Sequence, residues 1–222
     1  MNKVISRTSA LFLSLALCSA MPAASAASCG DVDDSGAVKV ARAKDNNAMI
    51  GPYQTMFPKV DPTAWVAHSA DVMGDVEIGV DSSVWYGCVV RGDVFPIRIG
   101  ARTNVQDLTM LHVTHDKYAC VLHDDVTVGH RVVLHGCTVE SRALIGIGAI
   151  VLDQAVIGEG ALVGAGALVT PGMKVPPGMV VMGSPAKIVR EVTDKERAWM
   201  EESARNYVQY AKRHAASAAA TR

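Results

Sequence analysis

The sequence predicts an all-β parallel β-helix built from hexapeptide repeats and finished by one C-terminal α-helix. Three observations carry this. Aliphatic residues recur every six positions over most of the chain. Glycine or another small residue follows many of them, and the spacing turns helical only after Thr193. A period near 3.6 would mark an amphipathic helix and a period of two an antiparallel sandwich; neither accounts for a long run of sixes. Composition agrees. Half of the 222 residues are apolar but only 5% are aromatic, so the core must be built from small and β-branched side chains, which suits many short strands.

The N-terminus reads as a targeting segment. Lys3 and Arg7 precede a short apolar run, Leu11–Leu17, and Ser25-Ala26-Ala27 supplies small residues for cleavage after Ala26 or Ala27. The run is too short to span a bilayer. Residues 1–26 are therefore expected to be a signal peptide and the protein to be exported, most simply to the periplasm. Cys29 makes a lipoprotein the lesser alternative, because a lipobox prefers Leu three places before its Cys. Residues 27–51 read as a polar extension. A formal charge of -1 without a basic cluster argues against a nucleic-acid footprint. Cys18 leaves with the leader. Cys88 and Cys137 fall within repeats and are expected to be packed thiols, while Cys29 and Cys120, in a tail and a loop, are the two free to form a disulfide in an oxidising compartment.

The β-helix is expected over residues 52–190. Its units start at Val66, Val72, Ile78, Val84 and Val90, resume at Ile99, Val105 and Leu111, and resume again at Val128 and Leu134. After a one-residue slip they run from Val139 through Ile145, Val151, Ile157, Val163, Val169 and Val175 to Val181. The first residue of each unit should point inward and stack on its equivalents, and glycines such as Gly79, Gly100, Gly146 and Gly164 suit the tight corners. Two interruptions are expected, a short one at Arg91–Arg98 and a longer one at Val113–Thr127 carrying His115, Cys120 and His123. Thr193 with Glu196 reads as a capping box. Trp199, Met200, Ala204, Tyr207 and Val208 form an apolar stripe that packs a helix, residues 191–214, against the coil. Residues 215–222 are a tail.

Five of the seven histidines lie between Leu111 and Cys137. His112 and His135 are both second residues of their units, so stacked coils set them on one face. His130 is the third residue of the intervening unit and is displaced along the surface. The three do not converge within one coil, but they do if a neighbouring subunit supplies its own His130. Three imidazoles with an open position form a catalytic metal site. The plainer alternative is surface or interface histidines that share no ligand. His115 and His123, in the loop, are solvated residues or proton-transfer groups, and His68 and His214 receive no role.

The stretch VVRGDVFPIRIGARTNVQDLTMLH, ending at His112, together with VTVGHRVVLHGC, Val126 to Cys137, resembles the γ-class carbonic anhydrases and their close relatives. The resemblance runs from about Pro52 to near Ala211. The combination RGD, NVQD, LH and VGHxxxLHGC is specific to them, whereas the repeats and the GSPAK ending are shared with many acyltransferases. It implies a left-handed β-helix that forms a homotrimer with three interfacial metal sites. His112 and His135 would come from one subunit and His130 from the next, holding Zn²⁺ or, as in some members, Fe²⁺ or Co²⁺. Gln106 would hydrogen-bond the metal-bound water or bicarbonate, Asn104 would assist, and Tyr207 would be the helix tyrosine near the site. Arg91, Asp93 and Asp107 would be interface charges ordering the site, although Arg91 and Asp93 also read as a structural ion pair. The implied reaction is reversible hydration of CO₂ to bicarbonate by metal-bound hydroxide.

One departure stands out. The loop VTHDKYACVLHDDVT contains no glutamate, where the archetypal enzyme carries a glutamate proton shuttle. The titratable candidates here are His115, Asp116, His123, Asp124 and Asp125. Two alternatives share the scaffold: an acyl-transfer or thioester-hydrolysing enzyme, and a non-catalytic metal-binding, siderophore-binding or assembly protein.

Overall fold

The computed structural model describes residues 49–220. The expected leader, its cleavage site and Cys29 lie outside them. The chain winds as a parallel β-solenoid of about 7 turns followed by a helix, the hexapeptide coil expected from the repeat, and it fits the left-handed β-helix that the resemblance implies. Each short strand pairs in register with the strands one turn before and after it, so unit-starting residues stack into three columns. Val105, Val128, Ile145, Val163 and Val181 form the first. Leu111, Leu134, Val151 and Val169 form the second. Leu122, Val139, Ile157 and Val175 form the third. All are buried, and the columns merge into one continuous core.

The second and third faces belong to one 12-stranded sheet. They are joined because Asp71–Ile78 and Val89–Ile99 pass around the corner without a break, with a register shift between Gly74 and Val76. The interruption expected at Arg91–Arg98 is therefore continuous strand that bends. Gly74 makes the bend possible: its φ is +82°, and a Cβ there would collide with the Gly92 carbonyl. Met49–Gly51 already pairs with Asp71–Met73, so the coil starts inside the stretch read as polar extension.

The second interruption is shorter than expected. The chain leaves the coil after His112, makes a tight turn closed by the Thr114–Tyr118 bridge, and rejoins at Cys120. Cys120–Leu122 pairs with Ile97–Ile99 on one side, and Val121 and Leu122 pair with Thr138 and Val139 on the other. Cys120 is thus a fully buried coil residue and not a loop residue, and His123 follows it at a corner. This unit was hidden because Leu122 is out of phase with Leu111 and its second residue is histidine. The one-residue slip falls at Gly136, whose φ is +54° and whose missing side chain leaves room for Asp153.

The helix-covered face is an 8-stranded sheet ending in an antiparallel hairpin, Met179–Gly183 with Ala186–Glu191, for which the six-residue period holds no signal. The helix, Asp194–Ala220, then runs back along this face. Near its start Met200 packs on Leu144, Val180 and Val192; near its end Ala211 packs on Trp65 and Trp85. His214 sits among Trp65, Trp85 and Tyr86, its Nδ1 2.9 Å from the Tyr86 hydroxyl. Trp199, expected in the packing stripe, is 53% exposed; Met200, its neighbour, takes the buried position. Among the described residues, no helix is long and apolar enough to cross a membrane.

The capping box closes as its residues predict. The Thr193 amide donates to Glu196 Oε2 (2.9 Å) and the Glu196 amide to Thr193 Oγ1 (3.3 Å). Arg190 adds two hydrogen bonds of 2.8 Å to the same carboxylate. These bonds, Arg190's first, hold the Glu196 carboxyl at a pKa of about 2. Thr193→Ala is expected to cost about 1 kcal/mol in urea unfolding at neutral pH. Glu196 is charged in the folded state well below its unfolded pKa of about 4.3. Its contribution is complete above that value and fades as pH falls toward 2. Glu196→Gln should therefore flatten the acid dependence of the unfolding midpoint across that window.

Candidate metal centre

His112 and His135 close their strands, Met110–His112 and Val133–His135, and lie in register on adjacent coils. Each follows a buried leucine, Leu111 or Leu134, so strand alternation turns each imidazole outward. His112 Nδ1 and His135 Nε2 face each other at 3.2 Å. The far nitrogen of each ring is held by a carboxylate. His112 Nε2 lies 3.0 Å from Asp93 Oδ1, and His135 Nδ1 lies 2.6 Å from Asp153 Oδ1. Arg91 pairs with the other Asp93 oxygen, and Thr114 Oγ1 donates to Asp153 Oδ2 (2.8 Å). Burial would raise both carboxyls, but hydrogen bonds from His112 and Arg91 outweigh it at Asp93, as those from His135 and Thr114 do at Asp153; both sit below their ordinary value.

This arrangement has a chemical consequence. A neutral imidazole carries one N–H. If both rings give theirs to carboxylates, two lone pairs face each other at 3.2 Å, and only a cation between them is favourable. Two nitrogens bound to one tetrahedral Zn²⁺ at about 2.0–2.1 Å stand about 3.3 Å apart. The pair therefore fits two legs of such a site, each backed by a carboxylate that fixes the ring and its tautomer.

The other expected site residues form a second group. His130 lies at the corner that leads into the histidine face, with Nδ1 2.8 Å from Asp107 Oδ2, again one nitrogen on a carboxylate and one left over. Gln106, nearly buried, donates from Nε2 to Asn104 Oδ1 (3.1 Å), and Asn104 donates to Thr127 Oγ1 (3.0 Å). Gln106, His130 and Tyr207 line one groove of about 390 Å³ between the coil and the helix, together with Leu144 and Ile147. Tyr207 packs edge-on against Trp85. Burial, and then nearby Asp107, pushes its phenol upward.

The two groups sit at opposite edges of the histidine face. His130 precedes the strand that His135 ends, which separates them by on the order of 10 Å of chain. Among the described residues of this single chain, no three His, Cys, Asp or Glu side chains converge to hold a metal.

The structure also sorts the expected proton carriers. His115 and Asp116 remain on the turn after His112. His123, at the corner after the third face, lies 3.5 Å from Glu140. Asp124 accepts the Ala101 amide and Asp125 holds Arg102 through two bonds of 2.7 Å, so both are structural. Asp153 is the residue that sequence reasoning missed. It lies a whole coil beyond His135 in sequence, and only stacking brings it there; its one sequence signal is an acidic residue in a unit aligned above a candidate ligand. Asp153→Asn should weaken Zn²⁺ or Co²⁺ binding roughly 10–100-fold while leaving the circular dichroism unchanged, measured by competition with a chromogenic chelator.

No protein-family model matches the chain, but individual relatives do. It is 47% identical to "Gamma carbonic anhydrase 2, mitochondrial" of Arabidopsis thaliana over 163 residues, 71% of this chain and 59% of the plant protein. The chain thus spans less than two thirds of that relative. It is 43% identical to Protein YrdA of Escherichia coli over 73% of this chain and 91% of that protein. It is 48% identical to a carbonic anhydrase of Geobacillus kaustophilus over 72% of this chain and 88% of that one. Among solved structures, a putative acetyltransferase of Bacillus cereus superposes with TM-score 0.76 at 47% identity, covering 77% of this chain and 99% of the other. A hexapeptide transferase family protein of Anaplasma phagocytophilum gives TM-score 0.70 at 42% identity, covering 72% and 95%. With such identity over nearly the full length of its bacterial relatives, and with the paired histidines of the LH and LHGC motifs stacked on one face, the chain belongs to the γ-carbonic anhydrase family.

Proposed function

We propose that the protein is a metal-dependent carbonic anhydrase that hydrates CO₂ reversibly to bicarbonate, acting as an exported, periplasmic homotrimer. One observation carries the reading: the histidines divide into a facing pair and a single ring at opposite edges of one face, each ring already holding a carboxylate. A three-fold arrangement brings the single His130 of one subunit to the His112–His135 pair of the next. The strip around His130 suits such contact, since Leu108, Met110, Ile147 and Ile150 are exposed there. Relatives named carbonic anhydrase support the activity.

In this reading His112, His135 and the neighbour's His130 bind the metal, Zn²⁺ by its donor set, with Fe²⁺ or Co²⁺ compatible. When bound, the ion would supply a water acidified toward neutral pH. Asp93, Asp153 and Asp107 hold the three rings in place. Gln106, steadied by Asn104, lies beside His130 and orients the reacting oxygen by hydrogen bonding. Tyr207 forms the apolar wall of the groove that CO₂ crosses. His115, 74% exposed at its side chain and beside Asp116 at 3.4 Å, carries the proton away, since His123 faces elsewhere. A second reading, acyl transfer or thioester hydrolysis, draws on the transferase-named neighbours and the apolar groove beside His130.

Stopped-flow CO₂ hydration, with metal content measured on the same sample, tests the reading. Activity should disappear on chelation and return with Zn²⁺ or Fe²⁺; a fully metallated protein without hydration would reject it and turn attention to thioester substrates. Mixing His130→Ala and His112→Ala chains should restore about a quarter of the sites by chance pairing around a closed ring, and no recovery would sink the shared site. His115→Ala should lower kcat at low buffer concentration, with recovery on adding imidazole, while His123→Ala leaves kcat unchanged.

A further inference from the structure

The third face carries a second inward column, two places before each unit start. It runs Val76, Ile97, Cys120, Cys137 and Ala155, all buried. Cys120 and Cys137 are neighbours in it. Val121 pairs with Thr138, and the Val121 amide donates to the Cys137 carbonyl at 2.9 Å. In-register neighbours in a parallel sheet have Cα atoms about 4.8 Å apart, inside the roughly 4.4–6.8 Å that a disulfide spans. The two side chains also touch: contact with the Cys120 thiol, and then burial, pushes the Cys137 thiol well above its ordinary value.

We propose that Cys120 and Cys137 are a disulfide pair, closed while the coil forms in an oxidising compartment, that staples two adjacent coils beneath the histidine turn. Both thiols are sealed inside the finished coil, out of reach of an exchanging disulfide, so exchange belongs to the stage before closure. A disulfide RS–SR is the oxidant. The Cys137 thiolate attacks one sulfur and RS⁻ leaves. Cys120 then displaces the second RS⁻, giving one Sγ–Sγ bond and two RSH. The thiols lose two electrons and two protons, and the RS–SR bond receives them. The enclosed segment contains His130 and His135, and Cys120 is where the turn after His112 rejoins the coil. The staple therefore fixes that turn against His135's strand. Cys88 has no such partner among the described residues: its column neighbours are Ala70 and Thr109, its thiol donates to the Gln106 carbonyl at 3.1 Å, and it stays a thiol. The pairing of Cys120 with Cys29 gives way to this one, since Cys120 faces inward onto Cys137.

The test is peptide mapping of the full chain refolded in a buffer of oxidised and reduced glutathione, then acid-quenched, alkylated in denaturant and digested without reductant. The expected result is a peptide joining Cys120 to Cys137, with Cys88 alkylated. Protein refolded with dithiothreitol should unfold roughly 5–10 °C lower, a difference absent from Cys120→Ala. Complete alkylation of both cysteines after oxidative refolding, or Cys120 joined to Cys29, would overturn the pairing. A joined peptide with no change in midpoint would overturn the staple. If Cys120→Ala does not fold, Cys137→Ala replaces it, and the mapping decides the pairing either way.

Discussion

Everything in this molecule depends on the in-register stacking of inward aliphatic side chains from one coil to the next. A two-residue strand has almost no stability alone. It persists because its backbone is hydrogen-bonded on both sides and its one inward residue rests on equivalents above and below, as Leu134 does between Leu111 and Val151. The corners bear the geometric cost. Asp81, Arg102, Asp125 and Arg142 all take positive φ, and side-chain bonds such as Arg102 to Asp125 hold corners that glycine would otherwise occupy.

The same stacking sets polar side chains one above another on a flat face of the coil. Residues in equivalent places on successive units must lie one above another, so His112 and His135 face each other without any dedicated scaffold. Strand alternation turns them outward because the residue before each is core. A flat face cannot enclose an ion, however, and a metal site needs ligands from more than one direction. The proposed assembly supplies the missing direction, through the histidine at the far edge of the face and the exposed apolar strip beside it.

The carboxylates show how the three imidazoles are held. Asp93, Asp107 and Asp153 each take one nitrogen of a different histidine, and two of them are anchored in turn, by Arg91 and by Thr114. The turn after His112 is short but not loose, since Thr114 ties it to the coil above through Asp153. A change in that turn is thereby felt at His135, on another coil.

The sequence by itself determined the coil, its helix cap, the stacked histidine pair and the family, because a six-residue period and the motifs RGD, NVQD and LHGC are local properties of the chain. It misjudged what depends on phase. Leu122 restarts the repeat out of step with Leu111, so Cys120 and His123 looked like loop residues, and Arg91–Arg98, which bends with its neighbouring strand, looked like an excursion. Only the tertiary structure decided which groups meet across coils: Asp153 with His135, Cys120 with Cys137, His214 with Trp65 and Tyr86. The first two pairs lie one coil apart and the third much farther, and no local motif marks any of them. Lateral stacking of the coils, which the strand register sets, is what brings them together.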